Sequence, residues 1–392
     1  MCVWKNEYWL PGVLSINQIQ KLQDEGFIQG FTIPQKGKFE SAIDLYLSNE
    51  GYEMIQGTIK PMKYKSYKSF LEQRKYSIPL KQNKDRCYEL HLGHCYVFKL
   101  KEKFTRKIKK SNVFYGQATA KSSIGRLDVI ARLIVDGEYK YDYMSPDNVK
   151  GEMYLEILPI SYNIIVKEGI TLSQLRLFYG KTEDSEIKDE SFISSIISSF
   201  EVGQVGYLSV NTKNLRIGGL EVCSYCARKN ENNEEFIDIT KKNYQPYKFW
   251  SFKKSNDENR LTIEKEDFYI LRSKELISLP PGVAIYCRAI DESLGEMRIH
   301  YAGFVHPCFG YKRKDGEKGT PLMFEVRGHD VNVTLADGET LAKLIFYRMS
   351  EKAEGKSPYD KQNLMLSKYF EKWPKMLEYE NEEEGIVKPK NK

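Results

Sequence analysis

The chain has 392 residues, which is enough for two or three domains with substantial apolar cores. Its 41% hydrophobic and 29% charged residues are typical of an ordinary globular protein. The net charge of +6 is spread along the chain, with one short basic run at residues 106–110. This balance argues against nucleic acid as the ligand and favours an anionic small molecule.

The first residues and the cysteines indicate the compartment. Residues 1–5 lack the apolar segment of a secretory signal, and the apolar runs are too short to span a membrane. Seven cysteines form an odd, scattered set, which is typical of a reducing environment. We therefore expect a cytoplasmic protein.

Strands are the main predicted element. The chain contains 27 Tyr and 19 Phe, and its many short apolar runs end at Gly, Asn or Asp. This spacing favours a β-sandwich, jelly roll or barrel over alternating strands and helices.

The first predicted helix starts after Ser15, which forms an S-x-x-Q capping box with Gln18. Gly26 is the expected C-terminal glycine of this helix. A second helix is predicted within residues 190–200, where an apolar stripe indicates core packing. The apolar stripe of the first helix consists of Ile16, Ile19 and Leu22.

A candidate anion site follows at Lys121-Ser122-Ser123-Ile124-Gly125-Arg126. The run combines two hydroxyls, a flexible glycine and a permanent cation, which together suit a phosphorylated ligand. Taken alone, such a run is more often an ordinary turn.

A candidate general base is Glu156, which lies between Leu155 and Ile157 in a strand-like stretch. Burial would raise the pKa of this carboxyl and let it accept and return protons. In isolation, a solvent-facing strand glutamate is the alternative interpretation. Arg126 could hold this glutamate, polarise a water molecule or bind phosphate, and Ser122 could position water or phosphate.

An internal repeat divides the chain. Glu156 lies thirteen residues before Gly169, and Glu325 lies thirteen residues before Gly338. Residues 169–179 then parallel residues 338–348, and residues 122–126 parallel residues 292–296. We expect a first, catalytic unit at residues 1–200, a second unit at 201–377 and a disordered charged tail at 378–392.

The second copy differs where the candidate chemistry lies. Glu296 stands where the first copy has Arg126, and Glu292 stands at the position of Ser122. Two added carboxylates oppose phosphate binding. We therefore expect the second unit to be degenerate and structural, with Lys343 at the position of Gln174.

Zinc is a common means of activating a water molecule in proteins, but a known set of zinc ligands is missing from the sequence. That chemistry uses H-x-E together with P-C-x-x-C, and none of the five histidines is followed two positions later by Glu. Cys223 and Cys226 form a lone C-x-x-C without the preceding proline. We expect no zinc site and interpret both thiols as buried or surface groups.

Several ordered motifs together resemble one family, the dCTP deaminase branch of the dUTPase-like superfamily in its bacterial two-copy form. The likeness covers nearly the whole chain, and its specificity comes from the order and spacing of the motifs. The motifs are Gly12-Val13-Leu14-Ser15, Ser41-Ala42-Ile43-Asp44-Leu45, residues 121–129, residues 154–158, Gln174-Leu175-Arg176, Asp267-Phe268-Tyr269-Ile270-Leu271, His300-Tyr301-Ala302-Gly303-Phe304 and Leu366-Ser367-Lys368-Tyr369-Phe370.

The resemblance implies a mainly β fold, namely a tandem pair of distorted jelly-roll units with a few short helices, assembled as a trimer with sites between subunits. It implies deamination of dCTP to dUTP, with magnesium bound through the triphosphate. By position, Ser122, Arg126 and Glu156 would be catalytic. The substrate-binding residues would be Lys121, Ser123, Gly125 and Gln174.

One departure from the family and one segment bear on the second unit. The family's Asp-Pro-Gly-Phe-Gly run is His306-Pro307-Cys308-Phe309-Gly310 here, which argues against a ligand role for the second copy. The segment from Tyr359 to Phe370 is either an arm that closes over the triphosphate or a helix packed on the second copy.

Three functions are consistent with the sequence. The first is dCTP deamination, with or without further hydrolysis of dUTP to dUMP. The second is a dUTPase, and the third is a non-catalytic nucleotide-sensing or interaction protein. The combination of residues 121–126 with Glu156 favours deamination, because a dUTPase does not need that glutamate.

Overall fold

Two β-sheets, one for each half of the sequence, carry most of the chain in the computed structural model. The structure describes residues 8–34, 40–63, 65–198, 204–228, 235–289, 297–299, 303–311, 316, 319–353 and 363–390. The expectation of a mainly β fold made of tandem units is confirmed. No helix in the described part is long and apolar enough to cross a membrane.

Short helices are interspersed with the strands. The helices within the described ranges are α1 (Ile16–Asp24), α2 (Lys68–Leu71), α3 (Arg106–Ser111), α4 (Ser122–Gly125), α5 (Glu190–Ile196) and α6 (Pro246–Phe249), with a 3-10 turn at Glu183–Ser185.

The strands of the first unit alternate buried and less buried residues, as expected for sheets with one face on a core. They are β1 (Gly12–Val13), β2 (Ile28–Gln29), β3 (Ile43–Met54), β4 (Ser77–Pro79), β5 (Cys87–Leu90), β6 (Tyr96–Phe104), β7 (Phe114–Ala120), β8 (Val129–Val135), β9 (Tyr143–Met144), β10 (Glu152–Pro159), β11 (Asn163–Lys167) and β12 (Thr171–Tyr179).

The second half of the chain continues with further strands. They are β13 (Glu186–Ile187), β14 (Ile197–Ser198), β15 (Tyr207–Asn211), β16 (Leu215–Ile217), β17 (Leu220–Val222), β18 (Ser224–Ala227), β19 (Phe236–Asp238), β20 (Trp250–Lys253), β21 (Arg260–Ile263), β22 (Phe268–Ile277), β23 (Val283–Ala289), β24 (Met297–Ile299), β25 (Gly303–Val305), β26 (Thr320–Gly328), β27 (Val333–Ala336), β28 (Thr340–Arg348), β29 (Leu377–Asn381) and β30 (Ile386–Pro389).

The two sheets have the same central strand order. The first sheet reads β8-β10-β6-β3-β12-β7-β9, and the second reads β24-β26-β22-β15-β28-β23-β25. Glu156 on β10 and Glu325 on β26 therefore occupy matching strands. The predicted internal repeat is thus present in the topology as well as in the sequence.

The units meet near residue 182, whereas the sequence analysis placed the boundary at residue 200. β13 and β14 pair with β28 and β22, so residues 186–198 belong to the second sheet. The repeat pattern missed this because these short edge strands precede its recognisable motifs. One apolar cluster also continues from the first unit into the second, and β19 of the second unit pairs with β11 of the first.

The first predicted helix is confirmed as α1. The Ser15 hydroxyl accepts from the Gln18 backbone N–H at 3.3 Å, and the Gln18 side chain accepts from the Ser15 N–H at 2.9 Å. Gly26 follows with a φ of +72°, a left-handed value that favours glycine. The three predicted apolar residues of this helix are buried.

The second predicted helix is confirmed but shorter. It forms α5, which ends at Ile196 because Ile197 enters β14 and pairs with Ile277. Asp189 caps its start by accepting from the Phe192 N–H at 3.0 Å. The end of the predicted range, at Phe200, lies outside the described residues.

The expectation of a disordered tail at residues 378–392 is wrong for its described part. β29 and β30 form an antiparallel hairpin that packs on β20. Leu377 and Val387 are buried although charged residues dominate the surrounding sequence. Gly385 has a φ of +73° and its Cα approaches Phe252 so closely that no side chain would fit. These few apolar residues are enough to pack the hairpin on the second unit. The charged composition of the segment alone did not predict this packing.

Leu377→Ala should lower the free energy of unfolding by about 2–5 kcal/mol, because it removes a buried side chain from the shared core. Met376→Ala is the matched control, because Met376 precedes Leu377 in the chain and its side chain is 60% exposed. Chemical denaturation measures both variants. Equal, small losses would contradict the packed hairpin.

Candidate active site

A cleft of about 810 Å³ lies between the two units. Its volume falls within the range of small-molecule sites in proteins. The first unit contributes Asp44, Lys121, Ser122, Ser123, Arg126 and Gln174. The second unit contributes His306, Phe309, Phe324 and Glu325, and the chain at residues 364–368 and 370–373 closes the remaining side.

The predicted anion motif lies along one edge of this cleft. β7 ends at Ala120, and α4 makes a single turn that presents Ser122 and Ser123 to the cleft. The ammonium of Lys121 pairs with the carboxylate of Asp44 at 2.5 Å. Gly125 is buried within α4, and of the predicted substrate-binding residues it is the one that does not line the cleft.

Arg126 and Glu325 join the two units at the cleft. The Arg126 Nε donates to Glu325 Oε1 at 3.4 Å, and the two residues are 9% and 6% exposed. Burial raises the pKa of Glu325 to about 7, although the nearby Arg126 charge opposes this shift. A carboxyl with such a pKa can change its protonation state near neutral pH.

A second ion pair lies beside the first, but here the second unit supplies the cation and the first unit supplies the anion. Arg327, two residues after Glu325 on β26, donates to Asp128, two residues after Arg126. The Ser161 hydroxyl also donates to Asp128, at 2.6 Å. Residues two apart on a strand share one face, so Glu325 and Arg327 both point towards the first unit. Together the two ion pairs join residues 126–128 of the first unit to β26 of the second at the edge of the cleft.

His306 belongs to a further contact between the units. The Ser41 backbone N–H donates to His306 Nδ1 at 3.1 Å. Arg176 is fully buried, donates to the Ser41 hydroxyl at 3.0 Å, and stacks on Phe304 with 4.0 Å from its guanidinium carbon to the ring centre. Burial, with the charges of Arg176 and Lys121, lowers the pKa of His306 to about 3. The histidine is therefore neutral and lines the cleft.

The segment after residue 362 closes the cleft without forming a helix. The Ser367 hydroxyl donates to the Ser123 carbonyl at 2.6 Å, and the Tyr225 hydroxyl donates to the Leu364 carbonyl at 3.4 Å. Of the two interpretations of this segment, the covering arm agrees with this placement for residues 363–370. Tyr359 lies outside the described residues.

Glu156 is not part of this cleft. It lies fully buried on β10, where Tyr141 donates to its Oε2 at 3.0 Å and Arg132 Nη1 lies 3.9 Å from its Oε1. Burial raises the pKa of Glu156 to about 7. The structure therefore brings Ser122 and Arg126 together with Glu325 instead of Glu156.

The cleft combines side chains of both units, whereas the sequence analysis predicted the whole site in the first unit and a purely structural role for the second. The physical reason is how the two sheets dock, because Glu156 is buried within the first unit beside Tyr141, while Glu325 meets Arg126 across the interface. β26 places its glutamate against the neighbouring unit's α4, so the complete set of groups requires both copies. Glu292 and Glu296, on which the sequence comparison rested, lie outside the described residues.

Cys223 and Cys226 are buried in the second sheet. Burial raises the pKa of each thiol to about 12. Among the described residues, no three or more His, Cys, Asp or Glu side chains group together as a metal site would require.

Comparisons with known proteins identify the family. The N-terminal domain model of the 2'-deoxycytidine 5'-triphosphate deaminase family matches residues 10–181, and the C-terminal domain model matches residues 183–370. The chain belongs to this family. The two matches meet at the boundary between the sheets, and they confirm the resemblance seen in the sequence.

A solved structure agrees with this result. The crystal structure of 2'-deoxycytidine 5'-triphosphate deaminase from Agrobacterium tumefaciens superposes with a TM-score of 0.74 at 26% identity. The alignment covers 88% of this chain and 97% of that one. The tandem dUTPase-like fold predicted from sequence is thus confirmed. A comparison with curated protein sequences finds no match.

The sequence analysis missed two parts of the cleft. Glu325 was recognised only as the counterpart of Glu156, although the same spacing marked both residues. Lys368 was quoted within a family motif but was not named as a site residue, and it lies on the covering segment opposite Lys121 and Arg126. The thirteen-residue spacing marked Glu325, and the family motif at residues 366–370 marked Lys368. Neither pattern predicts which residues of the first unit these side chains approach.

Proposed function

We propose that the cleft between the units deaminates dCTP to dUTP and ammonia, with Glu325 as the proton-transfer group. The observation that carries this proposal is the buried Glu325 carboxyl, held against Arg126 at the anion motif. Its pKa of about 7 suits a group that must both accept and return protons. Membership of the dCTP deaminase family supports the choice of substrate.

The chemistry requires one water molecule and the movement of two protons, each of which passes through Glu325. The water oxygen attacks C4 of the cytosine ring while Glu325 takes its proton, and N3 receives the electron pair of the opened C4–N3 double bond. Glu325 delivers that proton to N3. It then takes the proton of the new hydroxyl and passes it to the amino group, the C4–N4 bond breaks, and ammonia leaves a C4 carbonyl. The sum is dCTP and water giving dUTP and ammonia.

Arg126 and the neighbouring groups have supporting roles. The guanidinium holds the Glu325 carboxylate in one orientation, because it cannot lose its own proton. Ser122 offers a hydroxyl at the same edge. Lys121 and Lys368 supply cations along the cleft for the triphosphate. The apolar wall at Phe309 and Phe324 suits the pyrimidine ring.

The alternative functions are less well supported. A dUTPase has no need of a buried carboxyl that titrates near neutrality, and both family models and the Agrobacterium structure are dCTP deaminases. A non-catalytic nucleotide-binding protein would not need that carboxyl beside Arg126 either.

Glu325→Gln should lower kcat by about 10²–10⁴-fold, because the amide keeps the shape of the side chain but cannot accept the proton of water. Glu156→Gln is the matched control and should leave kcat near the wild-type value. Steady-state assays of dCTP deamination measure both. If Glu156→Gln lost activity and Glu325→Gln kept it, the assignment would be reversed.

The activity should fall at acidic pH. The raised pKa of Glu325 means that its basic form predominates above about 7, so kcat/KM should decrease tenfold per pH unit below that value. The terminal phosphate of dCTP also titrates in this region. A nucleotide analogue with a non-titrating terminal group separates the two effects, and a flat profile between pH 5 and 7 with that analogue would refute the assigned base.

We propose that magnesium enters with the triphosphate as part of the substrate and that no zinc takes part. A chelator should abolish activity, and magnesium should restore it without zinc. Metal analysis of the active protein is the decisive measurement. Stoichiometric zinc whose removal stops turnover, with recovery on adding zinc alone, would contradict the proposal.

A homotrimer and a cytoplasmic location are also proposed, on the family resemblance and the odd, scattered cysteines respectively. The trimer would repeat the internal cleft once in each chain, because one chain already supplies Arg126 and Glu325. Light scattering coupled to gel filtration measures the subunit number.

A further inference from the structure

Glu156 and Glu325 occupy equivalent places in the two sheets. Glu156 lies opposite Val97 of β6, and Glu325 lies opposite Ile270 of β22. On the next strand, Tyr52 of β3 pairs with Val97 in the first sheet, and Tyr225 of β18 pairs with Ile270 in the second. Glu156 therefore holds in the first sheet the position that Glu325 holds in the second, so the surroundings of the two carboxyls can be compared directly.

The surroundings of the two glutamates differ in the course of one connection. In the second unit, the connection between β18 and β20 leaves its own sheet, and its strand β19 pairs with β11 of the first unit. In the first unit, the connection between β3 and β4 folds back over its own sheet. We call residues 55–63 and 65–76 of this connection the plug. The open cleft and the plugged pocket thus differ in where one connection goes.

Tyr67 of the plug covers the Glu156 pocket. It is 2% exposed, and its ring centre lies 5.7 Å from that of Tyr154, two residues before Glu156 on the same face of β10. Tyr67 also belongs to one apolar cluster with Val97 and with Cys95, which immediately precedes β6. After burial, the charge of Glu156 is the next cause that raises the pKa of both the Tyr67 hydroxyl and the Cys95 thiol. The Tyr67 ring therefore packs on the face of β10 that carries Glu156.

Two hydrogen bonds to one carboxylate fix the plug. The Tyr67 backbone N–H donates to Asp136 Oδ1 at 2.5 Å, and the Ser66 hydroxyl donates to Asp136 Oδ2 at 2.9 Å. The Tyr67 hydroxyl donates to the Ile59 carbonyl within the plug at 2.8 Å. These contacts hold the ring in place without using Glu156.

The Glu156 carboxyl keeps unused hydrogen-bonding capacity. Its Oε1 is buried and has no hydrogen-bond partner among the described residues, since Arg132 stays at 3.9 Å. A buried carboxyl with a free oxygen is costly unless it has a task or once had one. The first unit thus contains a buried carboxyl oxygen without a hydrogen-bond partner among the described residues, on the strand against which the Tyr67 ring packs.

We propose that the plug fills the base pocket of a second, pseudo-symmetric nucleotide site, with the Tyr67 ring where a pyrimidine would lie against Glu156. This inference rests on the proposed function for the identity of the open pocket. The plug leaves each chain one usable site, and removal of the ring uncovers a pocket for cytosine. The protonated carboxyl can pair with cytosine through two hydrogen bonds, because its hydroxyl donates to the ring N3 and its other oxygen accepts from the exocyclic amine.

The test is Tyr67→Ala, with free cytosine as the probe and calorimetry and crystallography as the readouts. This variant should bind one more cytosine per chain than wild type, located beside Glu156. Adding Glu156→Leu should weaken that extra site by about tenfold or more, because the leucine side chain has a similar size but can form neither of the paired hydrogen bonds. Tyr67→Phe keeps the ring and should gain no site.

The result has two contrary outcomes. A cavity that takes toluene but not cytosine would show that Tyr67 fills an apolar space only, and it would overturn the proposal. Extra cytosine binding that does not depend on Glu156 would overturn it as well. The readout is binding beside Glu156, so it stays informative even if the open cleft does not deaminate dCTP.

Asp136→Ala supplies a second variant that keeps the ring. Loss of the two bonds to Asp136 should let the plug open more often, so Cys95 should react with a small thiol reagent about tenfold faster. Cys223, buried in the other sheet, is the internal control and should stay slow. Mass spectrometry of the labelled peptides measures both rates. An unchanged Cys95 rate, or equal acceleration at Cys223, would refute a separately held plug.

Discussion

The reciprocal ion pairs between α4 and β26 are the constraint on which the site depends. Arg126 meets Glu325 and Asp128 meets Arg327, so each partner carries one cation and one anion two positions apart. Buried charges of this kind are costly unless each has its partner, and removing one partner of such a pair typically costs about 3–5 kcal/mol. The two units therefore cannot separate without exposing or orphaning four charged groups. This requirement fixes the cleft between them.

The repeat then acquires a functional meaning. In the proposed function, the two copies of the β unit supply different halves of a single site, the anion motif from the first and the buried carboxyl from the second. The remaining halves are free to diverge, because neither is needed in the open cleft. Glu156 lies behind the plug, while Glu296 stands where the first copy has Arg126. The two copies thus differ at the positions to which the proposed function gives separate roles.

Much of this architecture could be predicted from the sequence. The capping box at Ser15, the thirteen-residue spacing of the two glutamates and the ordered motifs led to the tandem β fold and its family. The pairing of Arg126 with Glu325 could not be predicted, because it depends on how one sheet docks on the other. The hairpin of β29 and β30 was missed because two buried side chains, Leu377 and Val387, suffice among many charged neighbours.

The number of nucleotides bound by one chain tests the central claim most directly. Calorimetry with dCTP and magnesium on the Glu325→Gln variant measures it without turnover. The single composite cleft predicts one dCTP per chain, and Arg126→Glu in addition should abolish that binding, since it places a negative charge at the anion motif. Two equivalent dCTP molecules per chain, or one that survives the loss of Arg126, would contradict the account.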